Sequence, residues 1–379
     1  MYEEITAFIR QQFATQDFVP LHEPCFIGNE KKYLIQCIDS TFVSSVGKYV
    51  DLFESEMAAY TGAKYAIAVV NGTAALHIGL LLAGVQRDDE VITQALTFIA
   101  TCNAISYCGA QPVFIDVDRK TLGLSAQALS EFLQNETHIK DGICINIKTG
   151  NKITAVVPMH TFGNPCDIAE IAKLCKKYNI ALIEDAAESL GSYANGTHTG
   201  LFGDLGVLSF NGNKTITTGG GGMIITNNKE LAKKAKHITT TAKLPHPYKF
   251  LHDQIAYNYR MPNINAALGC AQLEKLTLIL KNKKQLHDNY SAFFKTQNIE
   301  FVESQNNTKS NHWLNAIVLE NKQQQESFLK HSNDNGIMTR PIWEIMPRLP
   351  MFENCLSDKL ENTLWLADRV VNIPSSARI

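Results

Sequence analysis

A single lysine, Lys214, stands in the stretch SFNGNKTITTGGGG (Ser209–Gly222), just after an apolar run and shortly before four consecutive glycines. Most lysines are solvated surface residues. This one keeps polar, small-residue company, and glycines let a backbone pass close to a ligand or take angles closed to other residues. A lysine amine that attacks a carbonyl carbon must lose its proton near neutral pH, which calls for an enclosed, partly desolvated setting. A phosphate loop is excluded, because that motif puts glycine directly before the lysine and here the residue is Asn213.

Three other stretches carry groups that fit the same use. LIEDAAESLGS (Leu182–Ser192) ends an apolar run in Glu184 and Asp185. Strand ends of open α/β sheets are where ligands bind. A carboxylate there can hold a metal, a ribose or a protonated ring nitrogen, or simply cap a following helix. NGTAALH (Asn71–His77) joins a strand to a helix, so Gly72, Thr73 and Ala74 offer backbone N–H groups and a hydroxyl at a helix N-terminus. That is a ready anion site, and equally an ordinary capped turn. In ALTFIATCNAI, Phe98 follows a strand end and Asn103 lies on the helix that begins there. Phe98 can stack on a flat ring or fill core. A GxGxxG fingerprint is missing, which argues against a dinucleotide. Together, a phosphate cradle, a stacking aromatic, a strand-end aspartate and a lysine are the parts that hold pyridoxal 5'-phosphate. The aspartate keeps the pyridine nitrogen protonated, and the lysine forms the Schiff base.

The elements around these residues alternate. YAIAVV, EVITQ, QPVFIDVD, ITAVVPMH and IALIEDA read as apolar strands separated by helical patterns, and GVLSF and GGMIITN as two strands with no helix between them. Strands apolar on both faces belong to a sheet covered on both sides. The expected fold class is α/β: a large domain (15–248) with a mixed, mostly parallel seven-stranded sheet flanked by helices, and a smaller α+β domain (249–379) against which the N-terminal helix (1–14) packs. NINAALGCAQLEKLTLILKNKKQLHDNYSAFFKTQ reads as one long helix, and QNNTKSN (Gln305–Asn311) as a polar loop without a function.

Composition narrows the class. The 379 residues are 45% hydrophobic and 19% charged, with a formal net charge of −2, which gives no electrostatic case for nucleic acid. No apolar run reaches the length of a membrane span, and MYEEITAFIRQQF lacks the apolar core of a signal peptide. Nine scattered cysteines without a CxxC pair suit reduced thiols in a cytoplasm, and no metal site is expected.

The order and wording of the motifs resemble the DegT/StrS sugar aminotransferases, a group of fold-type I pyridoxal-phosphate enzymes, over nearly the whole chain from PLHEPCFIGNEKKYL to VVNIPSS. The resemblance implies that Lys214 is the catalytic lysine and that Asp185 faces the ring nitrogen. It implies that Gly72, Thr73, Ala74 and Ser209 hold the phosphate, with Phe98, Asn103, Ala187 and Glu188 as further cofactor contacts. Asn258, in YNYRMPNINAALG, would reach the phosphate of a neighbouring subunit and make the enzyme a homodimer with shared active sites. The family commonly has glutamine at Glu188 and G-E-G-G where this chain has Gly219–Gly222. These variants, with FNGNKTITT, STFVSSVGKYV and TRPIW, look most like the subgroup that moves the amine of L-glutamate to C4 of a UDP-linked 4-keto-6-deoxy-N-acetylhexosamine, in bacillosamine and legionaminic-type pathways. A different nucleotide, dTDP or GDP, or a 3-keto sugar is the alternative.

A nucleotide diphosphate needs cationic or N–H donors, for which Lys31, Lys48, Arg260 and Arg340 are the candidates. The resemblance adds Ser44, Ser45 and Gly47. His160, at a strand end, is either a contact behind the site or a satisfied core histidine, and Trp343 lines the sugar pocket or packs in the core. Two rivals stand beside this reading. Sugar 3-dehydratases of the same fold carry histidine at the lysine position, which Lys214 argues against. A non-catalytic regulator would need a partner surface that the charge pattern does not supply.

Overall fold

A computed structural model describes all residues from 1 to 379. Its main sheet has seven strands in the order Tyr65–Val69, Gly222–Thr226, Leu205–Ser209, Ala181–Asp185, Ile153–Val157, Glu90–Gln94 and Gln111–Ile115. Gly222–Thr226 runs antiparallel to both its neighbours. The other adjacent pairs are parallel. The strands Glu90–Gln94, Ile153–Val157 and Gly222–Thr226 are buried at every position, as a sheet covered on both faces requires.

The one antiparallel strand decides where Lys214 lies. Leu205–Ser209 ends at the edge where the parallel strands have their C-termini. Gly222–Thr226 starts back from the same edge, with Ser209 opposite Gly222. The connecting residues 210–221 therefore never leave that edge and hold Lys214 there. Phe210 N–H donates to Gly221 O (2.8 Å) and Thr218 N–H to Phe210 O (3.0 Å), which closes the excursion at its neck.

Helices Lys48–Thr61 and Asn263–Leu273 cover one face of the sheet, where Phe53, Met57, Ala266 and Cys270 pack with Phe210 and Ile225. Helix Gly72–Leu82 covers the other, with Leu76 and Leu80 against Ile183, Val207 and Ile224. The single long helix expected from the spacing of apolar residues is instead two, Asn263–Leu273 and Leu276–Thr296. The break at Glu274–Lys275 lets each half bury a different face. The first joins the core of the large sheet. The second sends Leu286, Tyr290 and Phe294 into a separate core with Ile317, Phe328 and Ile373.

That second core lies under a four-stranded antiparallel sheet ordered Glu300–Phe301, Asn315–Val318, Val370–Ile373 and Arg340–Pro341. The N-terminal helix Tyr2–Phe13 closes it by burying Ile5 and Ile9 against Tyr290, Phe294 and Phe328. The Gln305–Asn311 stretch is not an idle loop. Thr308 and Lys309 pair with Ala194 and Tyr193, and Asn311 is buried.

Candidate active site

Lys214 sits in the turn after Leu205–Ser209 with its side chain 13% exposed. Its Nζ lies 3.3 Å from Glu188 Oε1 and 3.9 Å from the centre of the Trp313 ring. The same indole donates its N–H to Asn213 O at 2.7 Å. The amine is thus held between a carboxylate and an aromatic face, both of which favour a cation.

Asp185 ends the strand Ala181–Asp185, and Glu188 lies in the turn that follows it. No helix begins there, so the capping role considered for this segment does not arise. Asp185 Oδ2 accepts from the Thr101 hydroxyl (2.7 Å) and Oδ1 from Ala187 N–H (3.2 Å). Burial pushes the Asp185 carboxyl above its usual range, while Thr101 and Ala187 pull it back. Burial likewise raises Glu188, opposed by Lys214 and by the Phe162 N–H that donates to Glu188 Oε2 at 2.9 Å. Ala187 is half-buried between fully buried neighbours.

The cradle forms where three elements meet. Asn71 caps helix Gly72–Leu82 by accepting Ala74 N–H at 2.7 Å. Asn71 thereby engages the Ala74 N–H, and Gly72 and Thr73 carry the first helical N–H groups free of intrahelical partners. A Cβ on Gly72 would stand 3.0 Å from Ser209 Cβ, and one on Gly222 would stand 2.4 Å from Asn71 C and O. Glycine at both positions lets the helix end, the Ser209 hydroxyl and the Gly222 strand converge. Phe98, just before helix Ile99–Tyr107, is 48% exposed, and Asn103 on that helix makes no side-chain hydrogen bond.

Other expected residues lie elsewhere. His160 is fully buried. Its Nε2 lies 3.1 Å from Glu184 Oε2, and Cys166 N–H donates to its Nδ1 at 3.3 Å. Burial disfavours its charged form, Cys166 and Glu184 favour it, and the balance holds the ring above its ordinary value. Both nitrogens are spent inside, so His160 is a satisfied core histidine and not a substrate contact. Glu184 in turn accepts N–H groups from Gly200 (2.7 Å), Phe202 (2.6 Å) and Gly203 (2.9 Å). The Arg340 guanidinium donates to Asn333 Oδ1 and Thr339 O within the smaller sheet region, and no contact ties it to Lys214. Trp343 packs 5.2 Å from the Phe162 ring.

Ser44, Ser45 and Gly47 form a loop leading into Lys48 at the start of helix Lys48–Thr61, and Asn263 pins it by donating to Phe42 O (2.6 Å) and accepting from Tyr49 N–H (3.0 Å). A Cβ on Gly47 would meet that side chain at 2.3 Å. Asn258 is exposed and accepts from Arg260 Nε at 3.1 Å, and Arg260 bridges to Val69, next to the cradle. Lys31 is exposed on helix Glu30–Asp39.

Thr101, Asn71, Trp313 and Asn311 were not found from sequence. Asn311 Nδ2 donates to Glu188 O (2.8 Å), Leu190 O (2.9 Å) and Thr215 Oγ1 (3.2 Å), so one amide ties the carboxylate turn to the lysine loop.

The sequence profile of the DegT/DnrJ/EryC1/StrS aminotransferase family matches residues 24–379. The chain belongs to this family. A GDP-perosamine synthase of Escherichia coli O157:H7 is 36% identical over 361 residues, covering 94% of this chain and 93% of that protein. A GDP-perosamine synthase of Vibrio cholerae is also 36% identical, over 363 residues and 94% of both chains. Among solved structures, a sugar aminotransferase of Streptococcus pneumoniae in its PLP form aligns with TM-score 0.85 over 96% of this chain and 94% of that one, at 21% identity, which speaks to the fold. The chain is accordingly a pyridoxal-phosphate-dependent sugar aminotransferase with the fold-type I architecture. The donor set fits that cofactor: a close-packed glycine cradle with a hydroxyl, a buried carboxylate, an exposed aromatic and one amine share a single sheet edge.

Proposed function

We propose that this enzyme transfers the amino group of L-glutamate to the keto carbon of a nucleotide-linked 6-deoxy sugar, and that the nucleotide is GDP. The observation that carries the transfer is Lys214 Nζ held 3.3 Å from Glu188 Oε1 at the sheet edge where Asp185 also ends. The choice of GDP rests on the two relatives named GDP-perosamine synthase, which favour it over the UDP sugar that the motifs alone suggest. The UDP-linked 4-keto-6-deoxy-N-acetylhexosamine is kept as the second reading, supported by the resemblance of FNGNKTITT and TRPIW.

Bound pyridoxal phosphate supplies an electron sink for the carbon that exchanges its amine. The residues of the chain supply the rest. Gly72 and Thr73 N–H and the Ser209 hydroxyl hold the phosphate at the helix end. Asp185, fixed by Thr101 and Ala187, holds a proton on the ring nitrogen. Phe98 covers the ring face. Lys214, with its Nζ 3.3 Å from Glu188 Oε1, moves a proton to and from the reacting carbon as general base and acid.

The partner in this reading is a second copy of the chain. Tyr248, Phe250 and Ile255 are 81%, 80% and 93% exposed, three apolar side chains in the segment that leads to the exposed Asn258. A second copy would cover them and bring its Asn258 to the phosphate, making a homodimer with shared sites.

The test is the visible absorption of the purified protein. L-Glutamate should bleach the band near-stoichiometrically, and a GDP-linked keto sugar should restore it while the UDP-linked one does not. Restoration by the UDP sugar alone moves the substrate assignment to the second reading. Lys214→Ala should bind cofactor and lose turnover, and normal turnover in that variant would sink the assignment of the lysine.

A further inference from the structure

At the Trp313 carbonyl lies a buried amine that the proposed chemistry does not use. Lys283, on helix Leu276–Thr296, is 1% exposed. Its Nζ meets three neutral acceptors from three distant segments: His22 Nε2 at 2.9 Å, Trp313 O at 3.2 Å and Ser375 O. No carboxylate pairs with it. The surrounding titratable groups are also basic, with His287 stacked on His312 at 3.9 Å. Burying an unpaired lysine is unfavourable, and a methionine would fill the same space. A methionine would also leave three acceptors unmet, at the cost of each group's desolvation. The amine is therefore retained for what it joins.

What it joins leads to Lys214. Trp313 is held by its carbonyl on Lys283 and by its N–H on Asn311 Oδ1 at 2.9 Å. Its indole N–H then fixes Asn213 O, and its ring lies over the Lys214 amine. The neighbouring Asn315 N–H reaches Ser375 Oγ at 2.8 Å, and Ser375 N–H reaches Leu21 O at 2.8 Å, so the segments carrying all three Lys283 acceptors are laced together.

We propose that Lys283 is a positioning residue for Lys214: its buried amine seats Trp313, and the seated indole holds the Lys214 amine and the turn that carries it. The inference rests on Lys214 being the reactive lysine, but the measurement below does not. It reads only where the amine is held, whereas Lys214→Ala reads turnover.

The experiment is acetylation of Lys214 in the full-length, cofactor-free chain, quantified by mass spectrometry relative to the exposed Lys31, with the urea unfolding midpoint taken in parallel. Lys283→Met and Trp313→Leu should each raise relative Lys214 acetylation about five-fold, the weight of one lost cation–π contact. His22→Leu, which removes one of the three acceptors and leaves Lys283 in place, should raise it by a smaller factor and serves if Lys283→Met does not fold. A lower midpoint with unchanged relative acetylation in Lys283→Met and His22→Leu overturns the proposal and leaves Lys283 a structural clamp only. Unchanged acetylation in Trp313→Leu overturns it at the second link.

Discussion

Replacing Lys283 by methionine makes a prediction about stability that can be worked through in numbers. Burial pushes the Lys283 amine down to about 7, from an ordinary value of 10.5 in an open chain. Between those limits the unfolded chain binds more protons than the folded one, so stability rises with pH. The penalty for burying the amine is full below about pH 7 and is relieved as pH climbs toward 10.5. At about 1.4 kcal/mol per pH unit, the wild type gains roughly 2 kcal/mol over the methionine variant between about pH 7 and 8.5. Groups common to both proteins cancel in the comparison, among them His160, whose window crosses the same range with the opposite sign. His22, His287 and His312 are all held below their ordinary value by burial, so their windows lie on the acid side of neutrality. The buried thiols of Cys102, Cys175 and Cys270 are pushed up, so their windows open on the alkaline side. The assay is urea unfolding of both cofactor-free proteins at four pH values across this range, compared at equal m. Stability curves that run parallel would refute the reasoning, because they would mean that Lys283 keeps its proton in the fold.

Gly222→Ala should weaken pyridoxal phosphate binding about ten-fold by fluorescence titration, because a Cβ 2.4 Å from Asn71 must displace the helix end, a strain of about 1–3 kcal/mol; unchanged affinity would remove the cradle from this position. Thr101→Val strips Asp185 of its 2.7 Å hydroxyl donor, a bond to a charged group worth about 1.5–3 kcal/mol, so kcat should fall at least about ten-fold while the fold survives in circular dichroism. Asn311→Ala leaves Glu188 O and Leu190 O without their buried donor and should lower the unfolding free energy by about 1–3 kcal/mol in urea. Ile255→Glu, at a side chain 93% exposed, should leave the monomer fold intact and halve the mass seen in sedimentation; an unchanged mass would place any self-association elsewhere.

The residues proposed to do chemistry at short range were legible in the sequence. Lys214, Asp185, Gly72 and Ser209 each follow or end an apolar run, and strand ends are where a buried α/β sheet exposes its ligand edge. The strands themselves were legible because a sheet covered on both faces must be apolar throughout. What escaped notice was long-range. Trp313 lies 100 residues from the Asn213 carbonyl it binds, and Asn311 lies 123 from Glu188. No local pattern distinguishes such a tryptophan or asparagine from an ordinary core or loop residue. Ala74 and His160 illustrate a related point. A position near the site was visible, but whether the N–H or the ring was already engaged depends on Asn71 in the one case and on Glu184 and Cys166 in the other. The break at Glu274–Lys275 was hidden because apolar spacing continues across it while the face being buried changes.

The three acceptors of Lys283 also set a timetable for biosynthesis. Glu23 N–H, next to His22, bonds Ser376 Oγ across 353 positions. A ribosome adding about 5–20 residues per second needs roughly 20–70 s to travel that far. Once Gly222–Thr226 has been made the large sheet can form, but until Ser375 follows, Lys283 lacks one of its three acceptors and the seat of Trp313 is incomplete. Loading of the cofactor should therefore trail release of the chain, and a nascent chain stalled before Ser375 should hold pyridoxal phosphate poorly even with every residue of the cradle already made.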